Sequence, residues 1–223
     1  MNPVPTVLAV VFGGMTAYQY VLKPYFSRAS QLTRELGRYP RMSLAELPEG
    51  TLGRVVGKAV ALDDTLEAPL SGRPCLYYTS IVEVSDGKDW KEIIREDRAV
   101  MFVLDDGSER AIVDPSSSKV VLDFMETGSS GTFDKPTARE QAFLDAHDTA
   151  STHAGGLFNR SLRYREAMIE VGGTIAIYGA TTREPDPNAR PDGGYRGDAP
   201  TQLRMTSSRK QPMVISNSAS ATR

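Results

Sequence analysis

The sequence predicts a mainly β fold: a small OB-like or related β-barrel with one inserted α-helix, preceded by an N-terminal transmembrane helix. Three observations support this fold class. Many short apolar runs with alternating side chains follow residue 50, one helical pattern interrupts them, and no charged side chain occurs before Lys23. The expected organisation is an anchor at 1–26, an amphipathic linker at 27–49, a β domain at 50–218 and a tail at 219–223.

The N-terminal segment carries the strongest physical signal. Residues 3–22 supply about the 20 mostly apolar residues that a membrane-spanning helix needs. A cleaved signal peptide and a buried core helix are the alternatives, but no basic residue precedes the run and bulky side chains occupy its end. The positive-inside rule predicts a cytoplasmic C-terminal side from the basic residues that follow the run, which are Lys23, Arg28, Arg34, Arg38 and Arg41.

The β domain is predicted from period-two patterns. Residues 52–62 have apolar side chains on both faces, which favours a strand covered on both sides or a barrel strand. Residues 75–84 are β-branched and aromatic, and Gly107 permits a tight hairpin turn between two apolar runs. Further strands are expected at 119–123, 162–170, 174–178, 202–205 and 212–216.

One helix is expected to interrupt these strands. Thr137 and Glu140 form a capping-box pattern, and apolar residues at helical spacing then predict a helix over 138–147. The serines at 116–118 and 129–130 are interpreted as loop residues. Residues 183–200 contain several prolines and glycines and are predicted to form a mobile loop.

The composition argues against several kinds of site. A net charge of -2 gives no basic excess for nucleic acid. One cysteine and two histidines cannot supply a RING or ribbon zinc site, so neither a metal nor a cofactor is expected. Cys75 opens an apolar run and is interpreted as a small buried hydrophobe rather than a nucleophile. His147 and His153 are six residues apart, which does not match a helical pair of metal ligands.

The segment 162–170 holds the most informative charged residue. In a strand, Glu166 shares a face with apolar side chains, where a carboxylate is costly unless it is paired or hydrogen-bonded. Arg73 or backbone N–H groups could satisfy it, which would make Glu166 structural. The alternatives are a recognition or active-site carboxylate, or a solvated face.

Three stretches and one tryptophan, taken together and in order, resemble a known family. They are "GRVVGKAVALDDTLEAPLSGRPCLYY", the later Trp90, "FVLDDGSERAIVDP" and "RYREAMIEVGGTIAIYG". Over roughly residues 50–216 the chain resembles the GIDE, or beside-a-membrane (BAM), domain family, which occurs in a mitochondrial E3 ubiquitin ligase. The resemblance implies a domain beside a membrane span. The ligase has a second span and a RING, which this sequence lacks, so ligase activity is not expected. RING-less members resemble bacterial membrane proteins, which implies a bacterial inner membrane.

The resulting hypothesis is a membrane-anchored binding or adaptor domain, held by residues 3–22, that binds an unknown protein partner, a lipid headgroup or a small ligand and no nucleic acid. The predicted binding residues are Arg73, Arg165 and Glu166. One alternative is an enzyme of unknown reaction that uses Glu166 as an acid or base. Another is an accessory of a ubiquitin-like conjugation pathway, and a purely structural role in the envelope is a third.

Overall fold

The computed structural model describes residues 28–130, 135–147, 161–187, 200–208 and 212–223. The predicted span at 3–22 lies outside the described residues. None of the helices within those ranges is long and apolar enough to cross a membrane. The elements in chain order are α1 (Arg28–Arg38), β1 (Arg41–Met42), β2 (Leu52–Ala61), β3 (Leu66–Glu67), β4 (Pro74–Ser85), β5 (Trp90–Ala99), β6 (Phe102–Asp105), β7 (Arg110–Val113), β8 (Lys119–Val121), β9 (Met125–Ser130), α2 (Ala138–Ala146), β10 (Leu162–Glu170), β11 (Thr174–Pro185), β12 (Thr201–Thr206), β13 (Val214–Ser216) and α3 (Ala219–Thr222).

Five strands close into a barrel. β2 pairs antiparallel with β6 and with β11, β6 pairs antiparallel with β7, and β11 pairs antiparallel with β12. A parallel pairing of β7 with β12 completes the ring. The prediction of a mainly β fold with a small barrel is therefore confirmed. The barrel interior is filled by apolar side chains that include Val55, Ala59, Phe102, Leu104, Ile175, Ile177 and Met205.

Strand β2 is covered on both of its faces, as its two apolar faces predict. Val55 and Ala59 point into the barrel core. Val56 lies in a separate cluster on the outside, together with Leu36 of α1 and Ala221 of α3. The outer helices therefore seal the barrel wall that β2 and β11 form.

A second sheet is inserted between the barrel strands. Its order is β9, β10, β4, and both β3 and β5 pair with β4. Helix α2 covers one side, where Phe143 and Leu144 contact Val82 and Tyr164. The predicted capping box begins this helix, because Thr137 and its third helical residue each cap the other's backbone N–H.

Some elements differ from the sequence prediction. The edge strands β5 and β9 were not expected, and the serines at 129–130 lie in β9 rather than in a loop. Strand β11 runs through Pro185 and so includes the first residues of the predicted loop. Leu44 and Leu47, from the stretch predicted as a linker, are buried in the barrel core. The hairpin after β6 is confirmed, with Gly107 at a φ of 86°.

Candidate functional site

Glu166 is fully buried on the helix-covered side of the second sheet. Its carboxylate receives three hydrogen bonds: Oε1 accepts from Leu70 N–H at 3.0 Å and from Ser80 Oγ at 2.8 Å, and Oε2 accepts from Ser71 N–H at 3.1 Å. Backbone N–H groups, one of the alternatives that the sequence left open, therefore satisfy most of this carboxylate. Because both oxygens are engaged and no surface is exposed, Glu166 offers no atom to a substrate.

The two backbone partners of Glu166, Leu70 and Ser71, belong to the turn between β3 and β4. Ala68 and Arg73 close this turn through a backbone hydrogen bond of 3.0 Å, and Gly72 adopts a φ of 73° within it. Gly72 also lies against the Arg139 guanidinium of α2, close enough that a Cβ atom would collide with it. The turn is therefore fixed from below by the Glu166 carboxylate and from one side by α2.

Arg73 does not contact Glu166. Its Nη2 lies 2.6 Å from Oε1 of Glu170, and both side chains are nearly half exposed. An exposed ion pair of this kind contributes at most about 1 kcal/mol to the free energy of unfolding. The structure therefore places Arg73 at the surface, beside the turn and away from the third predicted residue.

Arg165 lies on the opposite face of β10 from Glu166, because successive side chains of a strand alternate. It shares that face with Arg163, and both arginines face Glu83 on the neighbouring strand β4. Arg163 Nη2 lies 2.7 Å from Glu83 Oε2, and Arg165 Nη1 lies 3.7 Å from Glu83 Oε1. We call Arg163, Arg165 and Glu83 the arginine cluster.

Aromatic rings hold both guanidinium groups of the arginine cluster. The Arg163 guanidinium carbon lies 4.5 Å from the centre of the Trp90 ring, and that of Arg165 lies 4.9 Å from the centre of the Phe124 ring. Cation–π contacts at these distances are attractive and restrict the side chains. The cluster carries one net positive charge and presents preorganised N–H donors beside exposed aromatic surface, since Trp90 is 39% exposed.

The arginine cluster is part of a larger open face of the second sheet. The cross-strand register places Glu92 beside Glu83 and places Asp97 beside Thr79. Arg95 lies between them, 3.5 Å from Glu92 and 3.9 Å from Asp97. We call the arginine cluster, Trp90 and these β5 side chains the open face, which combines charges of both signs with an exposed indole ring.

Cys75 is buried, as the sequence predicts. Burial first, and then the charges of Glu166 and Glu170, raise the pKa of its thiol to about 11. The thiolate is the nucleophilic form of cysteine, so a thiol with this pKa is inert near neutral pH. Cys75 fills space under the turn that Glu166 fixes.

The described residues contain no group of three or more His, Cys, Asp or Glu side chains that could hold a metal ion. His147 ends α2, where its Nδ1 lies 2.9 Å from the Phe143 carbonyl oxygen and its Nε2 lies 3.2 Å from Glu96. His153 lies outside the described residues. The contacts of His147 are those of a residue that closes a helix end against the sheet.

The structure thus places the three predicted binding residues, Arg73, Arg165 and Glu166, in separate surroundings. Only Arg165 lies in a cluster, and the sequence prediction missed its partners there. Arg163 was detectable, because the alternation that places Glu166 among apolar side chains also places Arg163 beside Arg165. Glu83 and Phe124 gave no signal, since their contact with the arginines depends on strand pairing across long separations. Comparison with protein-family models, curated proteins and solved structures finds no match to this chain.

Proposed function

We propose that this chain is a membrane-anchored, GIDE-like binding domain that presents the open face of its second sheet to a protein partner at the membrane surface. It would act as an adaptor for that partner. The observation that carries this proposal is the arginine cluster, in which two guanidinium groups are held between aromatic rings and one carboxylate. The anchor at residues 3–22 and the GIDE likeness rest on the sequence.

The chemistry of the open face favours a protein partner. Arginine and tryptophan are enriched among the residues that dominate binding energy at protein interfaces. Here the guanidinium groups of Arg163 and Arg165 are already ordered by Trp90 and Phe124, so binding would lose little side-chain entropy. A surface carboxylate on the partner would match the excess positive charge of the arginine cluster.

The barrel is proposed to be OB-like. The ring order β2, β6, β7, β12, β11 with one parallel pair supports this assignment, because it describes a five-stranded barrel in which the third and fifth strands meet. In this chain two connections build the second sheet: β3, β4 and β5 lie between the first two barrel strands, and β9 and β10 lie between the third and the fourth. The first connection, which carries binding residues in many OB folds, supplies Glu83, Trp90 and the β5 side chains of the open face, whereas Arg163 and Arg165 come from the second.

The geometry gives less support to an enzyme that uses Glu166. A general acid or base must come within hydrogen-bonding distance of a substrate proton. Glu166 is completely buried, and its three hydrogen bonds go to the turn and to Ser80. The carboxylate is better explained as the group that fixes the turn before β4.

Site-specific photo-crosslinking in intact cells tests the open face. A photoreactive residue replaces Glu92, which lies on the open face, or Lys91, which is the adjacent exposed residue on the opposite side of β5. The proposal expects one reproducible protein adduct from position 92 and none from position 91. The adduct should disappear when Arg163→Gln is added. Equal adducts from both positions, or an adduct that is insensitive to the Arg163 substitution, would contradict the proposal.

A separate experiment tests the membrane location. The full chain should stay in the membrane fraction after alkaline extraction, and a reporter active only in the cytoplasm should function when fused after Arg223. A reporter active only outside the cytoplasm should be silent at the same place. Release of the chain by alkaline extraction would contradict the predicted anchor. Activity of the external reporter would show that the C-terminal side lies outside the cytoplasm, opposite to the prediction.

A further inference from the structure

The barrel contains a buried arginine that has no carboxylate partner among the described residues. Arg54 on β2 is 5% exposed. Its Nη1 donates a hydrogen bond to the Ala221 carbonyl at 2.8 Å, whereas its buried Nε has no acceptor in that part of the chain. Removing a guanidinium from water without a counter-charge is costly, and such groups are normally paired. Arg54 is therefore an unusual feature that neither the core nor the open face explains.

A second arginine adds to the positive charge at this place. Arg41 on β1 is the cross-strand neighbour of Arg54, and its Nη2 donates to the Val56 carbonyl at 3.2 Å. Burial, and then the charge of Arg41, lower the pKa of Arg54. Both effects disfavour the charged form of Arg54. An anion bound between the two guanidinium groups would stabilise that charged form.

Arg41 also lines a groove of about 760 Å³ on the outside of the barrel. Lys58 and Thr174 line the same groove and are hydrogen-bonded to each other at 3.0 Å. Thr222 of α3 borders it beside the residue that accepts the hydrogen bond from Arg54. The groove therefore combines two cationic side chains with hydroxyl groups. Arg54 does not itself line the groove, but its cross-strand neighbour Arg41 does, and Thr222 follows the residue whose carbonyl Arg54 contacts.

Two carboxylates line the groove, but both are engaged by other groups. Asp105 accepts from Arg110 Nε at 2.8 Å and from Gly107 N–H at 3.0 Å. Asp106 accepts from Leu44 N–H at 2.6 Å and from the backbone of its own hairpin. Neither carboxylate forms an ion pair with a basic side chain of the groove in the described structure. Arg110 offsets the charge of Asp105, which leaves the positive charges of Arg41 and Lys58 against the single negative charge of Asp106.

We propose that this groove binds a phosphate group, held by Arg41 and Arg54 with Lys58 at the far side. Guanidinium groups bind phosphate oxygens through paired N–H donors, which fits two adjacent arginines. A lipid headgroup and a soluble phosphate compound share this chemistry. The lipid source is favoured because α1 ends just before Arg41, and the chain before α1 leads to the predicted span at residues 3–22. This site lies on the barrel and does not depend on the open face.

Thermal unfolding of the full chain in neutral detergent tests the proposal, since a ligand that binds only the folded state raises the Tm. The probes are dioctanoyl phosphatidic acid, inorganic phosphate, and dioctanoyl phosphatidylcholine as a headgroup without net charge. The variants are Arg54→Met and Arg41→Gln. The matched control is Arg98→Gln, which removes an arginine with a largely exposed side chain from β5.

Phosphatidic acid should raise the Tm of the wild-type chain and of the Arg98 variant. The apparent Kd should rise about tenfold or more in the Arg54 and Arg41 variants. Without ligand, Arg54→Met should unfold at the same Tm as the wild type or a higher one, because it removes an unpaired buried charge. If it fails to fold, the exposed Arg41 variant carries the test.

The probes also identify the source of the phosphate group. A stronger response to phosphatidic acid than to inorganic phosphate supports a lipid headgroup, and equal responses support a soluble phosphate compound. The proposal is overturned if neither phosphate probe shifts the Tm. It is also overturned if phosphatidylcholine acts as strongly as phosphatidic acid, or if Arg98→Gln weakens binding as much as the two groove variants do.

Discussion

Replacing Glu166 with glutamine tests whether this carboxylate is structural. The amide oxygen can replace one carboxylate oxygen, but the amide NH₂ then faces a donor, so the bond from Leu70 or Ser71 is lost. A hydrogen bond to a charged group contributes about 1.5–3 kcal/mol, and a buried donor without an acceptor costs about 1–3 kcal/mol more. The lower desolvation cost of a neutral amide offsets part of this loss. We expect a loss of roughly 2–4 kcal/mol in the free energy of unfolding.

Urea unfolding of the full chain in detergent measures this loss through the fluorescence of Trp90, the only tryptophan in the sequence. For a chain of this size the same change lowers the Tm by roughly 5–15 °C. The matched control is Glu170→Gln, the same substitution on the same strand at an exposed ion pair, with an expected loss below about 1 kcal/mol. If the Glu166 variant is as stable as this control, the carboxylate does not fix the turn and the structural explanation is refuted.

Three further substitutions test the barrel, each by urea unfolding followed through Trp90 fluorescence. Leu36→Ala should lower the free energy of unfolding by about 2–5 kcal/mol if α1 packs on the barrel. The control Glu35→Ala, at an exposed residue of the same helix, should lower it by less than about 0.5 kcal/mol. Equal losses would contradict the packing of α1. Gly57→Ala should cost about 1–3 kcal/mol, because its Cβ would lie 2.5 Å from the Asp105 carbonyl oxygen; an unchanged midpoint would argue against this close approach. Burial raises the pKa of Asp106. Its hydrogen bonds, of which the one from the Leu44 N–H has the largest effect, outweigh burial and keep the pKa below its ordinary value. Its contribution is therefore present above the unfolded pKa of about 3.9 and is lost as the pH falls through the lower folded pKa. Asp106→Asn should flatten this acid dependence, and an unaltered pH profile would contradict that assignment.

The barrel strands were predictable because their side chains alternate between two apolar faces. Residues 52–62 show this pattern and form β2, whereas residues 162–170, which form β10 of the second sheet, have one mainly apolar face. Strand β5 was not predictable in this way, because its sequence WKEIIREDRA is polar on both faces. An edge strand with one open face loses the apolar alternation and instead carries charges that discourage pairing with other chains.

The site was less accessible to sequence reasoning than the fold. Glu166 was identified as a carboxylate that must be satisfied, but which donors satisfy it depends on how the turn at residues 68–73 packs against it. Arg165 was identified without its partners, since Glu83 reaches it only through the pairing of β4 with β10. Arg54 gave no signal, because its burial depends on α1 and α3 covering the outside of β2.

The insertion of the second sheet has a consequence for folding during synthesis. Strand β2 ends at Ala61, but its barrel partners β6 and β11 begin only at Phe102 and Thr174. Contacts between such distant segments form slowly, whereas the hairpin of β4 and β5 joins neighbouring residues and can form early. We expect the first barrel strand to leave the ribosome and to lack both barrel partners while the hairpin of β4 and β5 forms. The nascent chain thus exposes one apolar strand edge until β6 arrives and the other until β11 arrives, and chaperone contact at this stage should concentrate on residues 52–61.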